Sequence, residues 1–517
     1  MSNYVIGVDI GTGGTKAGLF NENGQPLALA FKKSTMTHPK PGWVNQKMDD
    51  FYKTAIAAIK EIMDKSNVNP EDVAALAFDG QMSGIGAIDN NWNPVMRYDN
   101  WLDTRCENQI KKMDSIAGEE IIKKTGAPPT YSHAPKILWW KKNHPDIFKK
   151  INKFIVPSVY VAGKLAGLEA KDAYLDYTYL HFTGFADNQN LKWDNNLCKT
   201  FDISKSKLPK IVSPGTIIGK ISKKAAISCN LVEGIPIAAG AGDTTTSYLG
   251  AGIVEPGTIF DVAGTASVFA SCTNNFAPDL KYKTVMSTRS VIKGLWNPIS
   301  FINGGGKCLE WFKDEIAVKE KEEAKKTGSD IYSYLNKLAA EINPGSNNLI
   351  FVPHFGGRVL PPQPSLRGSW VGLSWGHKKE TLYRSILESI AYEYYYYLKI
   401  KRNLYPETNF KEVRVLGGGA KSHLWNQIKS DVLNIPYQRI EANEPAVLGS
   451  AIIAGNSVGM FSDIKKTSID FFNRKENFQP RKKYHEFYKK YAEIYIGLID
   501  DLKSSYLNLD HLKEFKN

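Results

Sequence analysis

A pattern that occurs twice most constrains how this chain can fold. Near the start stands Val8-Asp9-Ile10-Gly11-Thr12, flanked by apolar runs on both sides. Near residue 260 stands Phe260-Asp261-Val262-Ala263-Gly264-Thr265, again followed by an apolar run. Each reads as a hairpin whose turn carries Gly-Thr, because an apolar run that stops at glycine is a strand ending in a tight turn. The pattern continues downstream: residues 73–78 end at Asp79-Gly80, and residues 413–416 end at Gly417-Gly418-Gly419. Two similar halves of about 250 residues point to a duplicated domain with a ligand in the cleft between the copies. A chain of 517 residues also exceeds what one ordinary core accommodates. The join is expected near residues 248–257, dividing the chain into domains 1–248 and 249–517.

Runs rich in Val and Ile at 4–8, 73–78, 154–156, 235–239, 258–260, 349–352 and 413–416 are bounded by turn residues and predict strands. Longer helical patterns lie between them, at 50–63, 379–398 and 424–433. Strands mixed with helices over this length give an α/β fold class. Toward the end, Tyr484, Phe487, Tyr488, Tyr491, Tyr495 and Leu498 form a helix stripe expected to pack against the core, as does the run Tyr394 to Tyr397.

Composition excludes several function classes. Lys plus Arg exceeds Asp plus Glu, 66 against 53, but the lysines are scattered as short pairs such as Lys111-Lys112 and Lys149-Lys150. That distribution is a solvated surface, so no nucleic-acid partner is expected. The five cysteines form no C-x-x-C, and the nine histidines no H-E-x-x-H, so neither a disulfide framework nor a zinc site follows. Without a run of about 18 apolar residues or a signal peptide, no membrane partner is expected and the chain reads as cytoplasmic.

Two motifs carry chemistry. In Asp9-Ile10-Gly11-Thr12-Gly13-Gly14-Thr15-Lys16 a glycine-dense turn exposes backbone N–H groups that can cradle phosphate, the threonines add hydroxyls, and Lys16 adds a positive charge. Asp9, ending a buried strand, is placed to hold Mg²⁺ through water. Walker A fails at Lys16 and Lys307, and the dinucleotide fingerprint fails because Lys16 stands where its third glycine belongs. The second motif is Ala239-Gly240-Ala241-Gly242-Asp243-Thr244-Thr245-Thr246. A carboxylate at a strand end among small residues can accept a proton from an attacking hydroxyl, and Gly-Asp-Thr-Thr equally fits a helix cap.

Asp9 to Thr15, Gly80-Gln81-Met82, Gly242-Asp243, Gly264-Thr265 and Gly417 to Trp425 occur in an order that resembles the FGGY carbohydrate kinases, xylulokinases most of all. Tyr131-Ser132-His133-Ala134-Pro135-Lys136-Ile137-Leu138-Trp139 resembles the family's N-domain signature, with His133 where Pro, Ser or Thr is usual. Gly368-Ser369-Trp370-Val371-Gly372-Leu373, followed by residues 381–388, resembles the C-domain signature, with Thr381 in place of a more polar or acidic residue. The resemblance spans nearly the whole chain. It implies two ribonuclease-H-like domains of the actin and sugar-kinase superfamily, with the active site in the interdomain cleft. It also implies ATP and Mg²⁺, a small sugar or polyol as the acceptor, and a homodimer as an admissible assembly.

Roles follow position by position from the resemblance. Gly11, Thr12, Gly13, Thr15 and Lys16, with Gly264 and Thr265, would hold the phosphates from two sides. Gly304, Gly305, Gly418 and Ser422 would line the adenosine pocket. Asp243 would be the base and Asp9 would organise the metal. Gln81, Met82, Ser83, Trp101 and Thr244 would face the sugar. Xylulokinases typically carry Met-His at Met82-Ser83 and Asp-Asn at Asp243-Thr244, so this chain departs at Ser83 and Thr244. A missing hydrogen-bond partner there shifts substrate discrimination strongly. The alternatives are a kinase for ribulose, erythritol, glycerol or gluconate, a shape-switching actin- or chaperone-like ATPase, and a silent sugar-binding scaffold.

Overall fold

The computed structural model describes residues 4–441 and 444–512. The first sheet contains β1 (Tyr4–Ile10), β2 (Gly14–Asn21), β3 (Pro26–Lys33), β4 (Val73–Gly80), β5 (Ile217–Lys220) and β6 (Pro236–Gly242), in the order β5-β6-β4-β1-β2-β3. β1, β2 and β3 run antiparallel as a meander, whereas β1–β4 and β4–β6 are parallel. Helix α1 (Met48–Ser66) covers one face, burying Phe51, Ala55, Ile59 and Ile62 against Ile6, Val8 and Ile10. The near-continuous apolar runs of β1 and β4 are what a sheet buried on both faces requires. Helix α2 (Asp243–Gly250) begins where β6 ends. Residues between β4 and β5 build an outlying cluster around Trp139, Trp140 and Phe154, and this excursion carries Trp101 and His133.

The second sheet repeats the plan. It contains β7 (Thr258–Ala263), β8 (Ser267–Ser271), β9 (Met286–Arg289), β10 (Trp296–Ile302), β11 (Glu412–Leu416), β12 (Tyr437–Glu441) and β13 (Asn473–Phe478), ordered β9-β10-β8-β7-β11-β12-β13. The meander β7-β8-β10 corresponds to β1-β2-β3, the parallel pair β7–β11 to β1–β4, and the antiparallel edge strand β13 to β5. Helices α3 (Gly305–Trp311), α4 (Lys379–Leu404), α5 (His423–Leu433), α6 (Pro445–Ser457) and α7 (Lys482–His511) complete this half. The buried flank of α7 is Tyr488, Ala492, Tyr495 and Ile499, packed on α4, whereas Phe487 is 40% exposed. Phe487 therefore leaves the expected stripe, because a helix of 3.6 residues per turn rotates it away from the side that Tyr488 buries. Tyr394, Tyr395 and Tyr397 are core residues, and all five cysteines are buried and unpaired.

One helix does not stay with its own half. α6 crosses to the first sheet, where it packs on β1, β4 and α2. The crossing is close: a Cβ on Gly7 would lie 2.0 Å from the Val447 carbonyl, and one on Gly449 would lie 2.0 Å from that of Thr246. Only glycine permits backbones to approach so nearly. α6 thus brings residues from late in the chain beside the ends of β1 and β4.

Candidate active site

Ligands of α/β sheets bind at the carboxyl ends of parallel strands, and here that edge is acidic. Asp9 on β1 is the register partner of Asp79 on β4, and Asp79 faces Ala241 on β6, just before Asp243. Burial raises the Asp9 carboxyl above its ordinary range, opposed in part by Asp79 and Lys16. Asp79 is fully buried and is raised well above that range, by burial first and by the neighbouring Asp9 charge second. Asp243 is pushed up to about 7 by burial and then by Asp9. Asp79 is a candidate site residue that sequence reasoning did not single out. Its signal was an acid ending an apolar run, the same one that marks Asp9.

Asp243 is half-buried and is the first residue of α2, so the capping position belongs to Gly242. Its Oδ1 accepts hydrogen bonds from the Thr244 N–H at 2.6 Å and the Thr244 hydroxyl at 3.1 Å. Its Oδ2 makes no hydrogen bond among the described residues. One carboxylate oxygen is thus held and the other is free to accept a proton. The Thr244 hydroxyl is directed at this carboxylate.

The two hairpins form as expected. Gly11 N–H donates to the Gly14 carbonyl at 3.1 Å, while the Thr12 and Gly13 N–H groups donate to nothing among the described residues. Lys16 lies opposite Asp9 on β2 and pairs with Glu444 at 2.5 Å. Thr15 is turned the other way: its buried hydroxyl bonds to that of Thr54 at 2.7 Å, leaving only its backbone at the turn. In the second hairpin Gly264 and Thr265 form the turn between β7 and β8, with Thr265 exposed and its carbonyl accepting from Lys307 N at 3.1 Å.

Gly304 is the N-cap of α3, and Gly305 packs beneath the second hairpin, where a Cβ would lie 2.0 Å from Ser267 Oγ. Gly418 is exposed, with nothing within 4 Å of a Cβ built on it, beside the end of β11. Ser422 spends its hydroxyl as the N-cap of α5, accepting from Trp425 N at 3.2 Å. These four residues share the edge of the second sheet that carries Thr265.

The residues expected to face the sugar divide. Trp101 is 44% exposed and its Nε1 donates to Thr12 Oγ1 at 2.8 Å, tying that wall to the first Gly-Thr hairpin. Ser83 is half-buried, and the Met82 side chain fills the space that a side chain on Gly242 would need. His133 donates its Nε2–H to the Met82 carbonyl at 2.7 Å, and burial lowers its imidazole to about 4, so the ring is neutral. Gln81 lies behind the surface, only 1% exposed. Its amide donates to Gln46 Oε1 at 3.1 Å and accepts from Asn100 Nδ2 at 2.7 Å. Gln46 in turn reaches the Thr12 carbonyl at 3.1 Å. Gln46 and Asn100, which carry no local signal in the sequence, therefore buttress the first Gly-Thr turn together with Gln81.

For a divalent cation the donor chemistry fits: among the described residues no N–H or O–H of a neighbouring neutral or cationic side chain bonds to the buried Asp9 Oδ1, which faces the Asp79 carboxyl. No three acidic, histidine or cysteine side chains converge as a metal-binding set among the described residues. Mg²⁺ commonly needs only one or two carboxylates, with waters and substrate phosphates completing its shell.

Residues 4–250 match the N-terminal domain of the FGGY family of carbohydrate kinases, and residues 262–458 match its C-terminal domain. The chain is 27% identical over 505 residues to the xylulose kinase of Bacillus subtilis (strain 168), covering 97% of each. It is 28% identical over 515 residues to the gluconokinase of the same organism, covering 98% of each. The fold superposes on the crystal structure of xylulose kinase from Rhodospirillum rubrum with a TM-score of 0.89 at 23% identity, over 97% of this chain and 99% of that one. No helix among the described residues is long and apolar enough to cross a membrane. With two repeated sheets, a Gly-Thr hairpin on each, and both halves matched in order, the chain belongs to the FGGY family of carbohydrate kinases.

Proposed function

We propose that this carbohydrate kinase transfers the γ-phosphoryl group of ATP to a hydroxyl of a small open-chain ketose or polyol, with Asp243 as general base. The observation that carries the reading is the Asp243 carboxylate, one oxygen held by Thr244 and the other free. In the step, the acceptor oxygen bonds to the γ-phosphorus and the bond from that phosphorus to the β–γ bridging oxygen breaks. The hydroxyl proton passes to Asp243 Oδ2, and ADP leaves. Backbone N–H groups at Thr12 and Gly13, the turn at Gly264-Thr265, and Lys16 would hold the phosphates in line. Asp9 would hold Mg²⁺, whose positive charge, when bound, offsets that of the phosphate oxygens.

Met82, Ser83 and Trp101 would orient the acceptor, and Gly304, Gly305, Gly418 and Ser422 would receive the adenosine. The same reading divides the labour between domains 1–248 and 249–517 and places the enzyme in the cytoplasm, where ATP is available. Departure from xylulokinases at Ser83 and Thr244, and similarity to a gluconokinase, keep aldonates among the acceptors to test. The deciding experiment is ADP release over pentuloses, tetritols, glycerol and aldonates, with and without Mg²⁺. Release that depends on one acceptor class and on Mg²⁺ is expected. Equal hydrolysis without any acceptor would replace the kinase reading with a shape-switching ATPase.

A further inference from the structure

The two hairpins treat their aspartates differently. On β7, Asp261 is fully buried and satisfied, accepting from Lys429 Nζ at 2.6 Å and the Tyr394 hydroxyl at 2.8 Å. On β1, the corresponding Asp9 has no lysine or tyrosine bonded to it among the described residues. Among the described residues, the Oδ1 atoms of both Asp9 and Asp79 are buried with no donor to bond to, other than a proton shared between the two carboxyl groups themselves. These two carboxyl groups lie opposite each other on adjacent strands and within mutual reach. Asp79 is not loosely placed, because Ser450 on α6 donates to its Oδ2 at 2.6 Å. Lys16, the cation beside Asp9 among the described residues, is already engaged by Glu444 at 2.5 Å. Buried carboxylates are paired with cations or they coordinate metals, and among the described residues this pair has beside it only a lysine that Glu444 already shares.

We propose that Asp79 is a second carboxylate of the divalent-cation site, facing the ion with Asp9 through its free Oδ1 while Ser450 fixes its Oδ2. The inference rests on the kinase reading, in which Asp9 serves the cation. It goes further by giving the ion two protein carboxylates on neighbouring parallel strands. Two carboxylates plus waters match the way Mg²⁺ is commonly held. α6, arriving from the other half of the chain, becomes part of the scaffold of that site.

The test is Mn²⁺ binding to the nucleotide-free, full-length protein, measured by calorimetry and by paramagnetic resonance of free Mn²⁺. Wild type should bind one Mn²⁺. Asp79→Asn and Asp79→Ser should each weaken it about 10–100-fold, the range found when groups supporting a metal site are removed. Asp79→Ser, smaller and neutral, keeps the test alive if Asn disturbs the packing at Ser450. Asp9→Asn should also lose binding. If both Asp79 variants bind Mn²⁺ as wild type does while Asp9→Asn does not, the role of Asp79 is overturned and the kinase reading stands. Absence of Mn²⁺ binding in wild type would likewise overturn it.

Discussion

Lys16 Nζ lies 2.5 Å from Glu444 Oε2, although 428 positions of sequence separate the two residues. Each side chain is 37% exposed, so the pair adds little to stability. Its consequence is positional. Glu444 adopts a left-handed backbone, φ 55°, immediately before α6, and it holds the lysine of the first Gly-Thr hairpin.

In the proposed role of Lys16, an arriving phosphate competes with Glu444 for it. Lys16→Met should weaken ATP binding about tenfold, equivalent to about 1.4 kcal/mol. Glu444→Gln should strengthen it a few-fold, with the melting temperature near wild type. Calorimetric titration with ATP checks both, and weaker binding by Glu444→Gln would exclude competition between the carboxylate and the phosphate.

Asp243→Asn preserves size but cannot take the proton, so kcat should fall about 10²–10⁴-fold while ATP affinity stays near wild type. Near-normal turnover in a stable variant would remove Asp243 from the mechanism.

Because the Asp243 carboxyl is raised from 3.8 in the unfolded chain to about 7 in the fold, kcat/KM should fall on the acid side of about pH 7. The stability effect has the opposite sign. Between 3.8 and about 7 the folded state holds a proton that the unfolded state has released. That contribution favours folding in acid and is lost as pH rises through about 7. Melting curves should accordingly show Asp243→Asn raising stability above that pH and doing little near 3.8. A stabilisation independent of pH would contradict the raised pKa.

Ser83→His with Thr244→Asn restores the pair typical of xylulokinases. It should raise kcat/KM for xylulose relative to the best native acceptor by about tenfold or more, since hydrogen-bonding partners dominate such discrimination. An unchanged ratio would show that specificity is set elsewhere.

Two glycines should behave oppositely. Gly418 has open space around it, so Gly418→Trp should fold normally, weaken ATP binding and leave sugar affinity in the absence of nucleotide intact. A Cβ at Gly449 would lie 2.0 Å from the Thr246 carbonyl, so Gly449→Val should destabilise the fold by about 1–3 kcal/mol or more. Thermal denaturation together with separate titrations of ATP and acceptor distinguishes the two. Joint loss of both affinities in folded Gly418→Trp would refute the assignment of that glycine to nucleotide.

By itself the sequence determined what is local. Asp9-Ile10-Gly11-Thr12 and Gly264-Thr265 form hairpins because an apolar run meeting glycine must turn, whatever surrounds it. Asp243 falls at a strand-to-helix junction for the same reason, and the α4 and α7 helices follow from their own periodicity. Tertiary structure alone decided which of these pieces meet. Asp79 joins Asp9 because β4 lies beside β1, and Ser450 reaches Asp79 because Gly7 and Gly449 let α6 cross onto the first sheet. Packing also turned Thr15 toward Thr54, buried Gln81 against Gln46 and Asn100, and left Phe487 partly exposed beside Tyr488 and Tyr491. The reason is physical: a turn is set by the dihedral preferences of adjacent residues, whereas burial and hydrogen-bond partners depend on which strands and helices become neighbours. Separation along the chain carries no trace of that neighbourhood.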